Sequence, residues 1–194
     1  MLVLLLAVSL QANDSLVFGL TPASRLEVRT GKSGLLSFAG HEHTIRAREF
    51  SGRIVLYPNQ PAASHVSLSI VTAGLEVLTP PDTAEIRKVT AVMRTEVLDV
   101  ARYPEITFVS RGVARTGDTL YVVGALTIKN QAREIAPTVR MTLSGDTLHA
   151  LTTFTIQQTD FGIRPYRGGP GGTVRVANEV TFTIDAVAVQ TDSR

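Results

Sequence analysis

Along most of this chain apolar and polar residues alternate one for one, the pattern of strands that bury one face and wet the other. The clearest case is "TVRVANEVTFTIDAVAVQ". Val174, Val176, Val180, Phe182, Ile184 and Ala186 fall on one face, and Arg175, Glu179, Thr181, Thr183 and Asp185 on the other. This spacing predicts a long antiparallel strand. "TLYVVGALTIKN" puts Leu120, Val122, Leu126 and Ile128 in phase, "REIAPTVRMTL" does so with Ile135, Val139, Met141 and Leu143, and "TLHALTTFTIQQ" with Leu148, Phe154 and Ile156. The segments "RTGD", "KNQAR" and "SGD" between them have the length and composition of hairpin connections, so a meander is predicted. The first half adds "SRLEVRT", "GLLSFAG", "FSGRIVLY", "SHVSLSIVT" and "EITFVSRG". Valine, isoleucine and threonine are frequent throughout, as strands favour. The expected class is all-β, a sandwich or a barrel, and a barrel is preferred because closure removes exposed sheet edges.

One segment follows a different period. In "PPDTAEIRKVTAVMRTEVLDVARYPEI" the apolar residues Ile86, Val89, Met93, Val97 and Val100 recur every three to four positions, which predicts one amphipathic helix over residues 82–100. Asp82 followed by Glu85 has the form of a capping box, and Pro104 forbids continuation. Such a helix serves either as a plug for one end of a barrel or as a ligand contact.

The N-terminus carries a signal of its own. "MLVLLLAVSLQAND" has an apolar run of secretory length, too short to span a bilayer, so residues 1–12 are expected to be a signal peptide cut after Ala12. The competing reading is a buried first strand. Residues 13–194 are then a single domain of ordinary size, periplasmic or secreted, with no transmembrane segment in the mature chain. Lysine and arginine together number 19 against 17 acidic residues, so charge gives no support to a nucleic-acid partner. The chain has no cysteine, which removes thiolate nucleophiles, disulfides and Cys-ligated metals.

Four stretches, in order and at matching spacing, resemble the YceI family, lipocalin-like periplasmic proteins named for polyisoprenoid binding. They are "FSGRIVLYP" with "SHVSLSIVTAGLEV", then "MRTEVLDVARYPEITFVSRGV", then "VVGALTIKNQAREIAPTV", and last "IQQTDFGIRP" with "VANEVTFTIDAVA". Residues 98–110 are the most specific part. The resemblance implies an antiparallel barrel of about eight strands with a helix across it, wide enough for one ligand along its axis. It also implies a non-catalytic protein that binds or transports an apolar isoprenoid-like lipid, a polyisoprenoid or a quinone type, without a cofactor; a dimer is compatible with it. The ligand-binding set expected on this basis is Phe38, His41, His43, Met93, Phe108, Phe154, Phe161, Arg164, Arg167 and Phe182, with the arginines or the histidine pair near the ligand's polar end. Two departures from the family pattern stand out: the early region is compressed into "SFAGHEHTIRAREFSG", and Asn130 replaces the glycine that follows Leu-Thr-Ile. Asparagine tolerates a left-handed turn.

In the "GHEH" segment an extended backbone would project His41 and His43 to one face. Three readings stay open. The pair could hold a metal in a metal- or redox-linked protein, although zinc asks for a third or fourth ligand. It could meet a ligand head group at the barrel mouth, or it could sit in a hydrogen-bonded turn after Gly40. No nucleophile elbow or His-Glu-x-x-His helix is present, and Asp160 has the setting of a turn-capping residue. The loop "RPYRGGPGGTVR" lacks the following helix of a phosphate-binding loop and is expected to be a hairpin connection.

Overall fold

Strands form wherever the alternation is clean. The computed structural model describes residues 15–33, 42–78, 83–117, 119–168 and 174–191. In chain order they form β1 (Leu16–Leu20), β2 (Arg25–Ser33), β3 (His43–Ala47), β4 (Phe50–Leu56), β5 (His65–Val71), β6 (Leu75–Val77) and helix α1 (Thr83–Val92). These are followed by β7 (Glu105–Thr116), β8 (Thr119–Ile128), β9 (Gln131–Ile135), β10 (Thr138–Ser144), β11 (Thr147–Gln157), β12 (Arg167–Gly168) and β13 (Val174–Gln190).

The strands close into an eight-stranded antiparallel barrel, because several of them are halves of one broken stave. β1 and β2 lie end to end on one edge of β13, with Phe18 opposite Gln190 and Phe182 opposite Val28. β3 and β4 are separated by a bend at residues 48–49, and β5 and β6 by a 3₁₀ turn at Thr72–Gly74. β9 and β10 keep a single register on β8, Gly124 facing Ile135 and Tyr121 facing Thr138, across the break at Pro137. Proline has no N–H to give a ladder, but its carbonyl still accepts from Val122 N–H at 3.1 Å. Around the ring the order is β1/β2, β3/β4, β5/β6, β7, β8, β9/β10, β11, β13, and the pairing of β1 with β13 completes it.

Side chains stand in for the ladder where the first stave breaks. The Thr21 and Ser24 hydroxyls both donate to Val187 O at 3.0 Å, and Ser24 Oγ also accepts from Val187 N–H at 3.0 Å. At the β8–β9 hairpin Lys129 (φ 49°) and Asn130 (φ 58°) are both left-handed, as a two-residue type I′ loop requires. The expected connection "KNQAR" is thus only two residues long, and Gln131 already belongs to β9.

The helix is shorter than its apolar stripe suggests. α1 ends at Val92 and the chain continues through one π-helical turn, Met93–Val97, before Asp99 (φ 50°) turns it out. The end of this segment is tied down twice. Arg94 Nη2 donates to Ala73 O (2.7 Å) and Leu75 O (3.3 Å), and Lys129 Nζ donates to Val97 O (2.9 Å). β1 is a strand that the sequence reading did not anticipate, while "GLLSFAG", Asp82 and residues 1–12 lie outside the described residues.

The barrel interior divides in two. At one end Phe18, Leu148 and Ala188 are fully buried and pack with Leu16, Leu20, Ile54, Leu56, Met141 and Ala150. The other end holds the larger apolar cluster, from Leu26 and Val77 to Phe161 and Phe182, against which α1 packs through Ile86 and Val89.

Replacing Ser24 with alanine leaves the part-buried Val187 amide without its partner and is expected to lower stability by about 1–2 kcal/mol. Urea unfolding should show a lower midpoint at unchanged slope.

Candidate functional site

The larger cluster does not fill its end of the barrel. Beneath α1 lies a cavity of about 680 Å³, far larger than the water-sized voids of a packed core. Its wall is mainly aliphatic. β2 contributes Leu26 and Val28, β3 Ile45 and Ala47, and β13 Val180, Phe182 and Ile184, all from the inward phase of their strands. Ile70, Leu75, Ile106, Ile128, Ile156 and Ile163 continue the wall, and Val89, Val92, Met93, Val97 and Leu98 form the roof. The roof therefore uses three residues of the predicted helical stripe, Val89, Met93 and Val97.

Polar residues along the wall are few: Thr30, His43, Glu85, Lys88, Gln158, Tyr166 and Arg175, with Glu27 between the inward Leu26 and Val28 and so turned to the outer face. Several are fixed by partners. Glu27 accepts from Arg46 Nε and Nη2 at 2.8 and 2.5 Å, Gln158 Nε2 donates to Ala177 O at 2.8 Å, and Thr30 Oγ1 accepts from His43 N–H at 3.2 Å. Gly168 leaves room for the Tyr166 ring, since a Cβ there would lie 2.4 Å from the phenol oxygen.

A second, shallower depression abuts the cavity. Thr159, Arg164, Pro165, Arg167 and Asn178 line it together with Arg175 and Val176, which also belong to the cavity wall. Thr159 and Asn178 are clamped reciprocally, the Asn178 amide oxygen accepting at 3.0 Å and its nitrogen donating at 2.9 Å.

The residues singled out in the sequence fall into four places. Met93, Phe182 and His43 line the cavity. Phe108, Phe154 and Phe161 belong to the apolar cluster without lining the cavity, Phe154 stacked on Phe182 with ring centroids 5.1 Å apart. Arg164 and Arg167 lie in the outer depression. Phe38 and His41 are outside the described residues. Among the described residues no group of three or more His, Asp or Glu side chains could hold a metal ion, and His65 and His149 are exposed on other strands.

Several wall residues were not singled out beforehand. Leu26 and Val28 share the phase of "SRLEVRT", a signal available in the alternation itself. Arg175, assigned to the wet face, is exposed and also borders the cavity. Between Val176 and Val180 β13 gains two residues relative to β2, an even number that keeps its faces in phase.

Comparisons with known proteins agree with this architecture. Residues 23–188 match the family model described as a YceI-like domain. Over 99 residues the chain is 27% identical to protein YceI of Escherichia coli O157:H7 and 26% identical to protein YceI of Salmonella newport. Each match covers 51% of this chain and 49% of the relative, so the chain spans about half the length of the curated relatives it matches. Among solved structures, Burkholderia cenocepacia BcnA superposes with a TM-score of 0.69 at 22% identity, covering 88% of this chain and 99% of that one. A Campylobacter jejuni YceI protein gives 0.58 at 12% identity, covering 77% and 85%. At these identities the likeness is one of fold. Among the described residues no helix is long and apolar enough to cross a membrane.

Arg94→Ala removes the donor that both strand carbonyls share and is expected to cost about 1–2 kcal/mol, less than two full charged bonds because Arg94 Nε is itself buried without a partner. Amide exchange should rise across residues 84–97 and stay unchanged in β11.

Proposed function

This chain belongs to the YceI family, and from that membership and its hollow barrel we propose that it binds and carries an apolar isoprenoid-like lipid, a polyisoprenoid or a quinone type, without chemically altering it. The observation that carries this reading is the 680 Å³ aliphatic cavity under α1, within the size range of pockets that enclose a small molecule. The lipid chain lies against Val28, Ile45, Met93 and Phe182, and its polar end lies toward His43, Tyr166 and Arg175. Phe108, Phe154 and Phe161 pack in the apolar cluster around the cavity. The working environment is the periplasm or the cell exterior, where an apolar guest needs cover from water.

Affinity in such a site comes from removing apolar surface from water, at about 0.8 kcal/mol per methylene. A homologous series of linear alcohols should therefore bind about fourfold tighter per added carbon until the cavity is full. Ala47→Phe, which projects a ring into the cavity from β3, should end the series several carbons earlier. The first experiment is native mass spectrometry of the protein purified without added lipid, followed by lipid extraction. A bound species of several hundred daltons with isoprenoid fragments supports the carrier reading. A flat response to chain length in wild type would refute it.

A further inference from the structure

We infer that Phe108 is the stop that sets how much of a guest the cavity takes, and that the guest's buried tail is therefore short, about four isoprene units. The inference rests on the carrier reading and narrows it to a chain-length class. The cavity ends on one level of the barrel. Phe50 faces Ile70 and Ile70 faces Ile106 across β4, β5 and β7, and the two isoleucines line the cavity. Two residues closer to the Phe18 end, the same strands and β8 form the row Gly52–Leu68–Phe108–Leu126. None of these four lines the cavity, although Leu68, Phe108 and Leu126 belong to the apolar cluster.

Two inward-phase glycines account for the closure of that row. A Cβ at Gly52 would lie 2.4 Å from Leu20 Cδ1, and one at Gly124 would lie 2.6 Å from Phe108 Cζ. Leu20 thus fills the gap that Gly52 leaves in the row. The Phe108 ring reaches past its own partner, Leu126, to lie over Gly124, in the next inward-facing pair toward the Phe18 end. Position 124 has no side chain that could take the ring's place. Packed surroundings relax only partly around a deleted side chain, so losing the ring deepens the cavity toward Gly124. At roughly 30 Å³ for each water-sized group, the 680 Å³ of the cavity holds on the order of 20 non-hydrogen atoms, or about four isoprene units of five carbons each.

Native mass spectrometry tests this by reading the bound ratio when the protein is offered an equimolar excess of two all-trans prenyl alcohols that differ by one isoprene unit, from geraniol upward. Wild type should prefer the longer alcohol at least about tenfold at each step up to geranylgeraniol, the four-unit alcohol, and should bind the four- and five-unit alcohols within about twofold of each other. Phe108→Ala should prefer the five-unit alcohol over geranylgeraniol at least about tenfold. Phe108→Leu, the milder variant should alanine prevent folding, should prefer it about threefold. Phe18→Leu opens space in the solid end, away from the cavity, and should behave as wild type; circular dichroism establishes that each variant folds. A wild-type preference that keeps growing beyond five units, the same ratios in wild type and the Phe108 variants, or an equal shift in Phe18→Leu overturns the stop and leaves the carrier reading intact. No preference for the longer alcohol at any step in wild type overturns the carrier reading, and the stop with it.

Discussion

The fold depends on β13 being paired along both edges. Every buried backbone N–H and C=O needs a partner, and a barrel supplies them only if its last strand meets its first. β13 meets β11 from Glu179 to Val189 on one side and β2 and then β1 on the other. The first stave breaks in mid-course, and without compensation the closing seam would open there. The Thr21 and Ser24 hydroxyls hold it by taking over the hydrogen bonds of Val187. A ring closed in this way tolerates bends elsewhere, because no single bend frees an edge.

The bends fall at one level, and that level divides the interior. The neighbouring staves β1/β2, β3/β4 and β5/β6 all interrupt between Leu20 and Arg25, Ala47 and Phe50, and Val71 and Leu75. On one side of it Phe18, Leu148 and Ala188 pack solid; on the other Leu26, Ile45, Ala47 and Leu75 face the cavity, with Ile70 at the boundary. α1 then roofs a space it does not fill, held by Arg94 to the β5/β6 bend and by Lys129 to the β8–β9 hairpin.

Much of this was legible in the sequence, and the exceptions have physical reasons. The period of two located β7, β8, β10, β11 and β13, and the stripe Ile86–Val89–Met93–Val97 located the helix and the side it turns to the cavity. Asn130 in place of glycine was correctly read as compatible with a left-handed turn. β1 was missed because Leu16, Phe18 and Leu20 alternate directly after a leucine-rich run in the sequence that masks the period. The helix boundary was overextended because a π turn keeps apolar residues on one side while abandoning the α spacing. Aromatic residues were favoured as ligand contacts, yet the wall is mostly aliphatic among the described residues; Phe108, Phe154 and Phe161 pack in the apolar cluster without lining the cavity. Alternation reports which face is inside, not how deep a side chain sits.

The solid packing around Phe18 has a further consequence. A tube open at both ends could be threaded, but a cup cannot. On the carrier reading proposed above, a guest would enter and leave by the same rim. Loading and unloading would then compete for one end of the molecule and exclude one another in time.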